Sequence, residues 1–159
     1  MNEIELILEM VKQTFHGSAW HGPSFMEVLN EVDKAMAVNR SIQGRHTILE
    51  IVNHCSYWMD AVTLPLNGES IPDVESDEDW PKTRNTDEDW TEAQEKLKKA
   101  YEKLVNSIKV LTEDQLTQEV QGSYNGRPYT ITYRRMLHGI SDHNTYHAGQ
   151  IAILRRKKT

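Results

Sequence analysis

The sequence predicts an all-α protein, a four-helix bundle with one long connection between its second and third helices. Apolar residues recur at helical spacing in four long stretches, and few strand signals interrupt them. The chain has 159 residues, of which 38% are hydrophobic, and this suits one domain with a modest core. We therefore expect residues 1–159 to form a single domain.

The first helix is predicted near the N-terminus, where the apolar side chains fall on one face. This stripe consists of Ile4, Ile7, Leu8, Val11 and Phe15. The helix is expected to end at His16, and a turn over residues 18–23 follows. Ser24 and Glu27 then form a capping box, which predicts that the helix continues to Met36.

A second helix is predicted from about Thr47 to Leu64, with Pro65 ending it. The stretch 73–89 that follows carries eight acidic side chains against two basic ones and shows no apolar periodicity. We expect it to be a long exposed connection. Such a length is unusual in a simple up-and-down bundle, where connections are short. A connection this long can cross the bundle and allows a less regular topology.

The second half of the chain predicts two more long helices. The third is the clearest, since apolar residues step by three and four from Trp90 to Leu111. A small hairpin is expected over residues 123–129, because the Asn-Gly pair at 125–126 favours a tight turn. A fourth helix is predicted from Tyr133 to Leu154.

Composition excludes several classes of function. No apolar run is long enough to span a membrane, and the acidic start at residues 1–5 is unlike a secretory signal. The net charge of −6 argues against a nucleic-acid partner. Cys55 is the single cysteine, which excludes an internal disulfide and suits a reducing compartment. We therefore expect a cytoplasmic protein that binds neither membrane nor nucleic acid.

Three histidines form the candidate site. His143 and His147 lie four residues apart on the apolar stripe of the fourth helix, and His54 lies at the edge of the stripe of the second. A metal site open to chemistry typically has three protein ligands and one free position. The spacing leaves two possibilities, because buried imidazoles either share a cation or each find a separate hydrogen-bond partner.

Other potential ligands are less favoured. Cys55 competes with His54 for the metal, although a small buried hydrophobic side chain is the better interpretation. His138 is off the face of His143, and His16 and His46 fall near helix ends, where exposure or capping is expected.

Three segments of the sequence carry a resemblance to a known family. They are residues 19–24, residues 51–58 and residues 137–151. The most specific positions are His143, Tyr146, His147, Gly149, Gln150 and Ile151. In order and separation, these segments resemble the DinB superfamily over roughly residues 20–154.

The resemblance implies a four-helix bundle, often dimeric, that binds a divalent metal such as zinc or nickel. It implies His54, His143 and His147 as the ligands. The family includes thiol-dependent S-transferases and isomerases that use low-molecular-weight thiols. A small-molecule substrate, a thiol cosubstrate and a homodimer are therefore the expected partners.

The leading hypothesis is transfer of a low-molecular-weight thiol onto an electrophile, since a cation favours the thiolate form. Metal-dependent hydrolysis is the closest alternative, with Glu50, Asp60 and Asp142 as candidate acids or bases by proximity. The third possibility is a metal-binding dimer without turnover. A closed site, with Cys55 or Asp60 as fourth ligand, would favour it.

Several neighbouring side chains have two possible roles. Asn53, Asn144 and Gln150 are possible partners of the imidazole N–H groups, without preference. Tyr146 either binds a ligand or packs between helices. The turn containing Trp20 either lines the mouth of the site or, as we favour, packs Trp20 on the core.

Overall fold

The computed structural model describes residues 1–75 and 77–155. Within these residues the protein is 60% helical, with six α-helices and one small two-stranded sheet. The helices are α1 (Glu3–His16), α2 (Phe25–Leu29), α3 (Lys34–Val38), α4 (Ile48–Leu66), α5 (Asp87–Lys109) and α6 (Tyr133–Leu154). The strands are β1 (Glu119–Tyr124) and β2 (Arg127–Thr132), preceded by a 3-10 helix (Glu113–Thr117). The prediction of a mostly helical protein is confirmed.

The core lies between the four long helices. Helix α4 packs against α5 and α6, and α1 packs against the same two helices. Each long helix contributes a fully buried side chain, as Phe15, Met59, Leu97 and Leu137 show. Burial of each is worth about 1.5–3 kcal/mol. The core therefore fixes the positions of α4 and α6, on which the three candidate histidines stand.

Local hydrogen bonds decide where the helices begin. The predicted capping box of Ser24 and Glu27 is present and opens α2. The predicted continuation to Met36 is wrong, because α2 ends at Leu29 and the Asp33 carboxylate caps a separate α3. Asp33 accepts a hydrogen bond from the Met36 backbone N–H at 2.8 Å, which competes with a continuous helix.

The last turn of α4 contains the proline that was expected to end the helix. Helix α4 includes Pro65 and ends one residue later, at Leu66. A proline in a last turn removes only one helical hydrogen bond. The Pro65 carbonyl accepts a hydrogen bond of 2.5 Å from the buried Tyr133 hydroxyl, which ties the end of α4 to the start of α6.

The hairpin anchors the long connection between α4 and α5. Its strands extend beyond the predicted 123–129, and Asn125 and Gly126 both have positive φ, as a type I′ turn requires. The Val74 backbone N–H donates to the Ser123 carbonyl at 2.9 Å, and the Val74 carbonyl accepts from Asn125 at 2.8 Å.

Most described residues of the connection are exposed, as its charge predicted, but the connection also carries side chains that are buried. Ile71, Val74 and Asp79 are buried, because the hairpin holds this segment against α4. None of the helices in residues 1–75 and 77–155 is long and apolar enough to cross a membrane.

Candidate metal centre

The structure brings the three candidate histidines together. His54 lies in the middle of α4, and His143 and His147 lie one turn apart on the facing side of α6. One nitrogen of each ring lies within 4.8 Å of the other two. His54 and His147 are each only 5% exposed, so the cluster is shielded from solvent on most sides.

The outer ring nitrogens of two histidines have hydrogen-bond acceptors. His54 Nδ1 lies 2.7 Å from the backbone carbonyl of Asp79, and His147 Nδ1 lies 2.7 Å from the Gln150 side-chain oxygen. A carbonyl oxygen only accepts, so each Nδ1 carries the proton. Each ring therefore presents its unprotonated Nε2 to the cluster, in the form that a metal ligand requires.

His143 completes the cluster. Its Nδ1 lies 3.5 Å from the Asn144 side-chain oxygen, and its Nε2 lies 3.0 Å from His54 Nε2. With the His143 proton on Nε2, this contact is an N–H···N hydrogen bond to His54; with both protons on Nδ1, two lone pairs face each other and a cation between them removes their repulsion. Metal–nitrogen bonds of about 2.0–2.1 Å place neighbouring ligand nitrogens roughly 3–4 Å apart. The three side chains therefore fit a divalent cation.

Burial keeps the rings neutral. It lowers the pKa of His54 from 6.5 to about 4, although the Asp79 carbonyl opposes the shift. Burial, followed by the charges of His147 and His54, lowers the pKa of His143 from 6.5 to about 3. Burial also lowers the pKa of His147. All three imidazoles are therefore uncharged at neutral pH, with lone pairs free to bind a cation.

An aromatic stack supports His54. The Trp80 ring lies between His46 and His54, with centroid distances of 3.5 Å and 3.9 Å and nearly parallel planes. The expectation that His46 is only an exposed or capping residue was incomplete, because it is half-exposed and also lines the site. Trp80 was not singled out, although an aromatic residue in an acidic stretch was a usable signal.

Asp79 is the second residue that sequence reasoning missed. Its side chain is 3% exposed, and its Oδ2 accepts a hydrogen bond of 3.1 Å from the Trp58 indole N–H. Its other oxygen, Oδ1, is buried without a hydrogen-bond partner among the described residues. The Asp79 carboxylate also helps to raise the pKa of Tyr124, for which burial is the larger cause.

A cavity of about 580 Å³ adjoins the three histidines. Its wall includes Arg45, Trp58, Asp79, Tyr124, Tyr146 and Gln150. This volume lies within the range of about 300–1,000 Å³ that small-molecule sites occupy. The arrangement can therefore hold a cation and, next to it, a small ligand.

The three candidate acids do not line this cavity. Glu50 caps α4 and pairs with Arg40, Asp60 pairs with Lys103 at 2.9 Å, and Asp142 is exposed. Among the residues that the structure describes, only the three histidines form a group that can hold a metal.

Cys55 does not belong to that group. It is fully buried, and burial raises the pKa of its thiol, so it packs as a small hydrophobic side chain. The structure thus supplies neither Cys55 nor Asp60 as a fourth ligand within its described ranges.

The remaining candidates separate clearly. Asn144 and Gln150 lie beside imidazole nitrogens, whereas Asn53 makes no hydrogen bond to a histidine ring within the described residues. Tyr146 is 65% exposed and lines the cavity, so it does not pack between helices. Trp20 is fully exposed, so the expectation that it packs on the core is wrong, and it does not line the cavity either.

Comparison with known proteins agrees with this picture. The family model of the DinB superfamily matches residues 20–151. A crystal structure from Enterococcus faecalis, described as the conserved protein of a locus, superposes with a TM-score of 0.68 at 16% identity. The superposition covers 98% of this chain and 96% of that one, which shows a shared fold. No curated protein gives a significant match.

Proposed function

Because the chain belongs to the DinB superfamily, we propose that it is a divalent-metal-dependent enzyme that transfers a low-molecular-weight thiol onto an electrophilic small molecule. The observation that carries the proposal is the convergence of three neutral imidazoles, His54, His143 and His147, beside a cavity of about 580 Å³. Zinc or nickel is the proposed cation, because both accept imidazole nitrogen as a ligand.

The chemistry follows from the charge of the site. A divalent cation held by three neutral imidazoles supplies positive charge, which stabilises the deprotonated form of a thiol. The thiol sulfur then forms a bond to the electrophilic carbon, the bond from that carbon to its leaving group breaks, and the leaving group departs with the electron pair. The thiol proton passes to solvent.

The residues around the cation have separate tasks in this reaction. The Asp79 carbonyl and the Gln150 side chain hold two imidazoles in the binding tautomer. Trp80 and His46 cover His54 and exclude water from one side of the site. The half-exposed Tyr124 and the exposed Tyr146 leave the cavity open for the thiol and the electrophile.

Hydrolysis is a second candidate, favoured by one observation. The Asp79 residue lines the cavity, and its buried Oδ1 has no hydrogen-bond partner among the described residues, so a carboxylate with unused acceptor capacity lies next to the three histidines. In this reaction the water oxygen bonds to a carbonyl carbon and the ester oxygen leaves with the electron pair and a proton.

The wider proposal concerns assembly and location. We propose that α1, α4, α5 and α6 form the four-helix bundle of this family in one domain of residues 1–159, and that two copies associate. The proposed association follows the dimeric state that resemblance to this family implies. A cytoplasmic location suits an enzyme that consumes reduced thiols.

The decisive experiment measures metal content and thiol conjugation in the same preparations. Elemental analysis of untagged protein should find one zinc or nickel per chain, and His54→Ala and His147→Ala should lose it. His138→Ala is the matched control, because His138 is an exposed histidine on α6 outside the cluster. Metal-loaded protein should accelerate conjugation of glutathione, cysteine or coenzyme A to monochlorobimane.

Each outcome separates the candidates. Bound metal with no conjugation of any thiol contradicts thiol transfer, and metal-dependent cleavage of nitrophenyl acetate without thiol would then establish hydrolysis. Absence of stoichiometric metal in the wild-type protein would overturn both candidates.

A further inference from the structure

A second cavity, of about 290 Å³, adjoins the first and shares part of its lining. It lies between the hairpin and helices α4 and α6. Its apolar lining consists of Val62, Ile71, Ile131, Met136 and Ile140. Trp58, Tyr124 and His143 line both cavities, so a molecule in the second cavity lies next to one of the three histidines.

The two cavities differ in chemical character. The first is also mostly apolar, with Ile42, Ile51 and Leu154 in its wall, but it adds the polar side chains of Arg45, His46, Asp79 and Gln150, which suit a ligand that also carries charged or polar groups. None of the described residues lining the second is an aspartate, glutamate, lysine or arginine. The second cavity therefore favours an uncharged alkyl or aromatic group.

We propose that this second cavity binds the apolar part of the electrophilic substrate, while the first cavity holds the polar thiol. The inference rests on the proposed function, because it names the substrate class of the same site. An electrophile with a short alkyl chain or a benzyl group places its apolar end against Met136 and Ile140. Its reactive carbon then lies toward His143, where the thiol sulfur attacks and the leaving group departs with the electron pair.

Gly139 offers a direct way to block this cavity. It lines the cavity within α6, and a Cβ added there would meet no atom within 4 Å. Gly139→Leu therefore adds a side chain at the cavity without a clash with the backbone. Gly149→Leu is the matched control, because Gly149 is another exposed glycine of α6 with equal space but lies outside both cavity linings.

The experiment titrates metal-free protein, labelled with 13C at the methionine methyl groups, with benzyl alcohol and n-hexanol. We expect a saturable shift of the Met136 methyl signal and no shift of Met59, which is fully buried outside the cavity. Gly139→Leu should weaken binding at least 10-fold, whereas Gly149→Leu should bind as the wild type does. An unresponsive Met136 in wild-type protein overturns the inference, whether or not Gly139→Leu folds.

A rate measurement links the cavity to the reaction. With zinc-loaded protein and glutathione, kcat/KM should rise along N-alkyl chloroacetamides from ethyl to hexyl, by about 4-fold per methylene at ~0.8 kcal/mol each. A flat series with active enzyme contradicts the inference alone. A Met136 shift without any thiol conjugation supports the apolar ligand site and overturns the proposed function.

Discussion

Gln150 provides the sharpest test of how the histidines are prepared for a metal. Its side-chain oxygen lies 2.7 Å from His147 Nδ1, a partly buried contact that holds the proton on Nδ1 and leaves Nε2 free. Gln150→Ala removes this acceptor, so the ring is free to protonate at Nε2 instead. Loss of such a partner typically lowers metal affinity by about 10–100-fold. This range corresponds to about 1.4–2.8 kcal/mol of binding free energy.

The hydrogen-bond distances predict which partners of the histidines matter more for metal affinity. Asn144→Ala should cost less affinity than Gln150→Ala, because the Asn144 oxygen lies 3.5 Å from His143 Nδ1 and is a weak acceptor. Asn53→Ala is the control, since Asn53 neighbours His54 in sequence but contacts no histidine ring within the described residues.

The assay is competition for zinc between each protein variant and a chromophoric chelator at fixed pH, with circular dichroism to verify folding. Gln150→Glu keeps an acceptor at this position and should hold zinc at least as tightly as the wild type. Equal affinities for Gln150→Ala and wild type, or an equal loss in Asn53→Ala, would refute the reasoning.

Three further predictions concern stability. Metal-free protein should lose stability as the pH falls from 6.5 toward about 4. The reason is that the unfolded chain binds protons at His54 and His143 in this range, whereas the folded protein excludes them. The urea midpoint should therefore be lower at pH 5 than at pH 7. Tyr133→Phe should lower the free energy of unfolding by about 0.5–1.5 kcal/mol, because the hydroxyl bond to the Pro65 carbonyl is lost while that carbonyl keeps the Gly68 backbone N–H at 3.1 Å; equal urea midpoints would contradict it. Gly126→Ala should lower the free energy of unfolding, measured by thermal unfolding, by about 1–2 kcal/mol. The cost comes from the positive φ of this residue, because an added Cβ would meet no atom within 4 Å.

Local patterns predicted much of the fold because helices are local structures. The apolar period placed α1, α5 and α6 within a few residues of their observed ends, and the Asn-Gly pair located the hairpin turn. The break between α2 and α3 was missed, because the cap at Asp33 competes with an apolar pattern that reads as continuous.

The three histidines of the candidate site were also predictable from the sequence, but two residues that contact them were not. His143 and His147 share a face through helical spacing alone, and His54 lies at the edge of the stripe that its helix turns toward the core. Asp79 was not predictable, because its acidic surroundings indicate a solvated loop, and the one signal for Trp80 was an aromatic side chain within that acidic stretch.

The order of apolar and polar residues along the chain was enough to determine the long helices and the three imidazoles that two of them carry, because side chains three and four residues apart share one helix face. Tertiary structure alone decided what surrounds those rings. The bridge from Val74 to the hairpin brings Asp79 and Trp80 onto His54, and the packing of α6 against the strands opens the apolar cavity beside His143. Both depend on contacts between residues far apart in the chain, which no local periodicity encodes.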